Sequence, residues 1–306
     1  MKDKRIGMLM GGHNAEHEVS MSTGRALAEA LRRRGYQVID IVVDTELAAA
    51  LRSERIEVAF VALHGRWGED GCIQGLLEAM RIPYTGSGVL ASALAMDKVF
   101  AKNALRHRGL PVLEDVVVGP EAREALAPAD LPFGLPAVVK PSREGSSVGV
   151  SIVRDSAELA SALEAARRLA GDVIIERYVD GREVQVAVLD GQAMGAIEVV
   201  PAEEFYNYKA KYHHGGTTQY LFPAPLDADQ NQRVLALGAA VHRCLGCEGV
   251  TRIDTMLDEA GQFYVLELNT IPGMTEASLV PKIAAGLGMS FEDLAERMVQ
   301  GARLKA

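Results

Sequence analysis

The sequence predicts an α/β first third followed by α+β units, and three observations carry that expectation. Short apolar runs alternate with helically spaced segments through the first 97 residues. Strands joined this way form a parallel sheet with helices on its faces. Pro and Gly then crowd residues 109–136, which breaks the alternation. Near the C-terminus two strand-length runs flank Asp258-Glu-Ala-Gly-Gln262, the pattern of an antiparallel hairpin.

In the first third, Ile6 to Met10 is an apolar strand ending in Gly11-Gly12. Ala26, Leu27, Ala30 and Leu31 give Ser20 to Arg34 helical spacing, and Gly35 stops it. Tyr36 to Val43 and Val58 to Leu63 are strands, Asp70 to Met80 is a helix, and Ile82-Pro-Tyr84 is a short strand. In such sheets ligands bind beyond the C-terminal strand ends. Gly11-Gly-His-Asn-Ala-Glu16 and His64-Gly-Arg-Trp-Gly-Glu-Asp-Gly71 both fall there. Asp97 to Arg108 is a helix. A strand, Ala137 to Lys140, enters a loop through Gly149, and a strand, a helix (Ala157 to Leu169) and a strand (Val173 to Arg177) follow. Residues 184–306 open with strands, pass a polar stretch at Tyr206 to Gln219, and end with the hairpin and two helices. Units of 1–97, 98–183 and 184–306 follow.

Composition narrows the function. The chain has 306 residues, 48% hydrophobic and 24% charged, with net charge −9. That balance argues against nucleic acid, whose backbone demands clustered Lys and Arg. The longest apolar runs are strand-length, too short for a membrane span or a signal-peptide core. Three cysteines fit a reducing compartment, so the expected location is the cytoplasm. Cys244-Leu-Gly-Cys247 closes an apolar helix pattern and reads as structural.

The hairpin carries the most chemistry. A turn centred on Ala260-Gly261 sets Asp254 opposite Glu267 and Arg252 opposite Asn269. Alternation puts all four on one face and leaves Ile253, Leu257, Tyr264, Leu266 and Leu268 on a core face. Facing carboxylates repel, so a cation is expected between them. Two carboxylates and a carboxamide suit Mg²⁺, which completes its shell with water and phosphates. The alternative is a solvated face with an ion pair from Arg252.

Lys140-Pro-Ser-Arg-Glu-Gly-Ser-Ser-Val-Gly149 is a Gly- and Ser-rich loop whose N–H and hydroxyl groups can wrap phosphate. Its Lys precedes the glycines, so it is not a Walker A loop. Glu176 to Glu183 offers carboxylates that suit an adenine amine and ribose hydroxyls, or else forms an ordinary strand edge. Glu16 stands before a helix starting near Ser20 or Ser22, either favouring that helix end or anchoring an ammonium. His13 and His17, i,i+4 on a loop, carry no metal geometry. Tyr206 to Gly216 reads as a polar loop able to close over substrate, or as plain surface. Exposed N–H groups at the helix after Ser278-Leu279 suit a carboxylate.

Taken in order, Gly11-Gly12 with Ala15-Glu16, His64-Gly65 with Gly68 to Gly71, Tyr84 to Gly88, Met96-Asp-Lys98, Lys140 to Gly149, Lys209 to Tyr212, Arg252-Ile-Asp254 and Glu267 to Thr275 with Ser278-Leu279 resemble the D-alanine–D-alanine ligase family of the ATP-grasp superfamily. The resemblance covers the whole chain. It implies an ATP-grasp fold with an N-terminal Rossmann-like parallel-sheet domain, and ATP with Mg²⁺ (two ions, Mn²⁺ able to substitute). The implied reaction joins two D-alanine molecules through an acyl phosphate, releasing ADP and phosphate, for peptidoglycan synthesis.

The resemblance also implies roles. Asp254, Glu267 and Asn269 would hold the metal. Lys98, Lys140 and Ser147 would contact the ATP phosphates, with Lys211 on the lid reaching the transferred one. Glu176, Val179 and Glu183 match the adenine and ribose positions. Glu16 would anchor the first ammonium, with Ser146 and Tyr212 holding the loops shut and His64 nearby. Arg252 and the Gly273 N–H would stabilise the oxyanion, and Ser278 and Leu279 would take the second carboxylate. Relatives that form the D-lactate ester typically lack the tyrosine at Tyr212, so an amine nucleophile is expected. A homodimer is expected from the same likeness. Another ATP-grasp carboxylate–amine ligase, differing at Glu16, Tyr212 and Ser278, and a non-catalytic nucleotide-binding regulator are the competing readings.

Overall fold

Three sheets organise the chain in a computed structural model, which describes residues 1–121, 126–145, 148–169, 171–201, 218–275 and 277–305. Strands β1 (Arg5–Gly11), β2 (Gln37–Val43) and β3 (Val58–Val61) form a parallel sheet in the order β2-β1-β3. Its centre is apolar on both faces, as a doubly covered parallel sheet requires. Helix α1 (His17–Arg33) packs on β1, and Gly24 permits the contact. A Cβ at Gly24 would lie 2.6 Å from that of Met10. Helices α2 (Leu47–Ser53), α3 (Cys72–Met80) and α4 (Val89–Met96) complete this region.

The predicted strand at Ile82-Pro-Tyr84 is reduced to isolated bridges, Tyr84 pairing with Ala59 and with Arg303. Helix α1 also begins earlier than the serines suggest. Glu16 is its N-cap residue, and Ser20 lies within the helix. The Ser20 hydroxyl is spent elsewhere: it accepts from Gly11 N at 2.8 Å and donates to Ala62 O at 2.8 Å. It ties the ends of β1 and β3 together instead of capping.

Helix α5 (Lys98–His107) starts at Asp97, whose carboxylate accepts from the N–H groups of Val99 and Phe100. It leads to an antiparallel sheet, β4-β7-β5-β6, made of β4 (Asp115–Val118), β5 (Ala137–Pro141), β6 (Ser151–Val153) and β7 (Val173–Arg177). Strand β4 lies within the stretch expected to be irregular. Helix α6 (Ser156–Arg167) covers this sheet, with a capping box from Asp155 and Glu158.

The third sheet is antiparallel, β10-β9-β8-β11-β12. It comprises β8 (Gly181–Leu189), β9 (Gln192–Val200), β10 (Gln219–Leu221), β11 (Val250–Asp258) and β12 (Phe263–Asn269). Helix α7 (Ala228–Cys244) lies on one face, and α8 (Leu279–Gly286) packs on β9. Helix α9 (Phe291–Gln300) returns to α1, so Leu294, Ala295 and Val299 share a core with Ile6, Met8 and Leu27.

The hairpin register meets the expectation by an unforeseen route. Asp254 faces Glu267 and Arg252 faces Asn269. The strands, however, leave the turn with Leu257 opposite Phe263, and a bulge after Asp254 shifts the pairing by one residue. The core side chains on β12 are therefore Phe263, Val265 and Leu268. Tyr264 and Leu266 leave the expected core face: Arg177 lies over the Tyr264 ring, and Leu266 lines the cleft.

Candidate active site

The two antiparallel sheets enclose a cleft of about 450 Å³, a size suited to a nucleotide-scale ligand. Its walls bring together Lys98, Lys140, Glu176, Glu183, Asp254 and Glu267, with Val179 beside them. Residues from five separated segments thus converge on one space.

On the hairpin, Arg252 donates to both Asp254 oxygens, Nε to Oδ1 at 2.7 Å and Nη2 to Oδ2 at 2.8 Å. Asn269 Nδ2 lies 3.4 Å from Asp254 Oδ2. Lys98 Nζ lies 3.2 Å from Glu267 Oε2 and donates to Glu144 O at 2.7 Å. Each facing carboxylate therefore has a cation beside it, which relieves the repulsion the register creates. No group of three His, Cys, Asp or Glu side chains is spaced for a metal among the described residues. The candidate set is two carboxylates and a carboxamide, all oxygen donors on one strand face, and that chemistry fits a hard divalent cation.

Lys98 opens α5, and Asp97 before it accepts from Arg143 Nε at 2.7 Å. These contacts fasten α5 to the Gly- and Ser-rich loop. Lys140, at the end of β5, reaches Glu176 Oε2 at 2.5 Å. Glu176 is almost fully buried. Burial pushes its carboxyl up, but Lys140 and Lys102 outweigh burial and hold it below the usual range. Glu183 accepts from Gln185 Nε2 at 2.6 Å.

The substrate end is built from loops. A Cβ on Gly65 would lie 2.4 Å from Glu16 Oε2, and one on Gly145 would lie 3.6 Å from it. Glu16 therefore stands between the His64-Gly65 turn and the loop after β5. Asn14 fixes that turn by donating to His64 O at 2.8 Å and Arg66 O at 3.0 Å. His64 is buried, with Nε2 3.1 Å from Thr23 Oγ1. Burial lowers its pKa to about 4, so it is neutral at pH 7. Ser278 is the N-cap residue of α8, and its Oγ accepts from Thr275 N at 3.0 Å. A Cβ at Gly273 would sit 3.0 Å from that Oγ, so Gly273 adjoins the helix start at Leu279. Ser146, Ser147, Lys211 and Tyr212 lie outside the described residues.

Sequence reasoning assigned no role to two residues here. Lys102 is buried and pairs with Glu176. Its signal was its position one turn beyond Lys98 on the same helix. Glu69 accepts from Gly65 N at 2.7 Å and Ile271 N at 3.2 Å, joining the turn to the Asn269–Thr275 segment. Burial, reinforced by the nearby Glu16 charge, raises its carboxyl to about 8. A carboxyl raised on folding contributes stability that is present in full below its unfolded value near 4.5 and is lost as pH rises through 8. Glu69→Gln, which cannot ionise, is therefore expected to flatten the fall in stability between pH 5 and 8. Urea unfolding midpoints at the two pH values measure this, and an unchanged slope contradicts it.

The comparisons with known proteins agree with this geometry. A family model described as D-ala D-ala ligase C-terminus matches residues 105–300, and one described as D-ala D-ala ligase N-terminus matches 45–87. A D-alanine–D-alanine ligase of Anaeromyxobacter dehalogenans (strain 2CP-C) is 58% identical over 303 residues, covering 99% of this chain and 98% of the relative. One from Geobacter sulfurreducens is 52% identical over 306 residues, covering 100% and 96%. A crystal structure of D-alanine–D-alanine ligase from Bacillus anthracis complexed with ATP superposes with TM-score 0.86 at 34% identity, covering 97% of each chain. The expected ATP-grasp architecture stands with that match. Both halves of the sequence and its full-length relatives lead to the same place: the chain belongs to the D-alanine–D-alanine ligase family.

Proposed function

We propose that this protein joins two D-alanine molecules at the expense of ATP, forming D-alanyl-D-alanine, ADP and phosphate for the peptidoglycan precursor. The observation that carries the reading is the cleft itself. Asp254 and Glu267 face each other across one hairpin, with Lys98 beside Glu267 and Lys140 on the same wall. The names of its relatives and the ATP-bound neighbour support the substrates.

In this reading Lys98 and Lys140 bind the ATP phosphates, together with Ser147 and Lys211. Glu176, Val179 and Glu183 bind adenine and ribose. Asp254, Glu267 and Asn269 would hold Mg²⁺, which when bound supplies positive charge against the transferring phosphoryl group. Glu16 holds the first D-alanine by its ammonium, helped by His64, with Ser146 and Tyr212 closing the loops. The carboxylate of this first D-alanine attacks the γ-phosphate to give an acyl phosphate and ADP. The second D-alanine sits with its carboxylate at Ser278 and Leu279. Its amine attacks the acyl carbon, and loss of phosphate leaves the peptide. Arg252 and the Gly273 N–H face the charge that develops on the acyl oxygen, as fixed donors in a dry site do. A division into three units, a homodimer and a cytoplasmic location complete the reading, supported by likeness to the family; the expected boundary at 183 falls inside β8 (Gly181–Leu189), so the last unit takes in that whole strand. No described helix is long and apolar enough to cross a membrane.

ADP release on adding single amino acids to protein, ATP and Mg²⁺ tests it. Strong release with D-alanine alone is expected. Release only with other acids or amines would assign a different ligase, and no release with any would favour a nucleotide-binding regulator.

A further inference from the structure

The antiparallel pairing of β4 with β7 sets Asp115 directly opposite Glu176. Both side chains are nearly buried, at 5% and 3% exposure. Two like charges so placed repel each other and need a shared counter-ion. Lys102, itself 3% exposed, supplies it from α5. Its ammonium pairs with Glu176 Oε1 and lies 3.5 Å from Asp115 Oδ1. Arg106, one turn further along α5, pairs with the same Asp115 oxygen, Oδ1.

The two oxygens of Glu176 are thereby divided. Oε1 faces Lys102, away from the cleft, while Oε2 faces Lys140, which lines the cleft. Lys140 has three N–H donors and is the phosphate ligand of the proposed function. When a nucleotide draws Lys140 toward its phosphates, Oε2 becomes open to the base. Oε1 stays paired, because Lys102 is buried and does not line the cleft. A carboxylate held in this way is an acceptor only. It accepts from the amine of a 6-aminopurine and repels the oxygen of a 6-oxopurine.

We propose that Lys102 is a positioning residue for nucleotide choice, holding Glu176 ionised and aimed so that the site takes adenine over a 6-oxopurine. The proposal rests on the reading of Glu176 as the base ligand, and the test separates the two.

The measurement is kcat/KM for ATP and for inosine triphosphate, with D-alanine saturating, in the full-length protein. Lys102→Met is expected to shrink the ATP:inosine triphosphate ratio by about tenfold or more, the scale of one charge-assisted hydrogen bond. The KM for D-alanine is expected to change less than about twofold, since Glu16 and Ser278 lie on other elements. Asp115→Asn removes the second carboxylate but leaves Glu176 paired, and is expected to leave the ratio unchanged. In a Glu176→Gln background, Lys102→Met should add nothing further to the change in ratio. If Lys102→Met does not fold, Lys102→Gln, which retains donors without charge, gives the same readout. An unchanged ratio in the folded Lys102 variant, beside a collapsed ratio in Glu176→Gln, overturns the proposal and leaves the base-ligand reading standing. An unchanged ratio in Glu176→Gln sinks that reading, and the proposal with it.

Discussion

Asp254→Asn is expected to cut turnover by about 10²- to 10⁴-fold while the protein remains folded. A divalent cation opposite a transferring phosphoryl group stabilises the transition state by several kcal/mol. Each 1.36 kcal/mol is about tenfold in rate. Asparagine keeps the size and one acceptor oxygen but loses the charge that would bind the cation of the proposed function. It also leaves Arg252 without the anion it now meets at 2.7 and 2.8 Å, so a modest fall in unfolding midpoint accompanies the lost activity. Raising Mg²⁺ should recover part of the rate if the loss lies in cation affinity. Steady-state ADP release with a circular dichroism spectrum for the fold decides it. Wild-type turnover in Asp254→Asn would show that the hairpin is not the metal site.

Glu16→Gln is expected to raise the KM for the first D-alanine by about 10- to 150-fold, the range for losing one charged hydrogen bond of 1.5–3 kcal/mol. The KM for ATP should move by less than about threefold. The separation follows from geometry. Glu16 stands between Gly65 and Gly145, whereas Glu176 and Glu183 line the cleft between the antiparallel sheets. Glutamine preserves the volume beside Gly65, where a Cβ would meet the carboxylate at 2.4 Å, so packing is not disturbed. Equal rises in both constants would remove the ammonium-anchor role. A secondary effect is expected on Glu69, whose raised carboxyl owes part of its shift to the Glu16 charge.

Much of the fold was legible because periodicity is local. Strand β7 occurs where the apolar run placed it, and α5 and α6 differ only at their ends. Elements with weak patterns were missed. Asp115–Val118 has too few residues to show alternation, and its neighbours Gly109 and Pro111 signal a break. Tyr84 bears a strand's composition but finds only single bridges. Glu16 was expected on a loop ahead of a helix starting near Ser20 or Ser22 but is the N-cap residue itself; Ser20 misled the start, because its hydroxyl serves a contact distant in sequence.

What the chain determined by itself were residue types and their spacing: facing carboxylates on a hairpin, a Gly-rich loop after a strand, and a carboxylate at a strand-end turn. These rest on the two-residue strand period and on turn chemistry, which act over a few residues. Only the tertiary structure decided the bulge after Asp254, which compensates a turn one residue out of step and sends Leu266 into the cleft. It alone joined Lys102 to Glu176 and Glu69 to Ile271, pairs 74 and 202 residues apart. Burial and charge pairing of that kind are set by which surfaces meet, and no local pattern encodes the meeting.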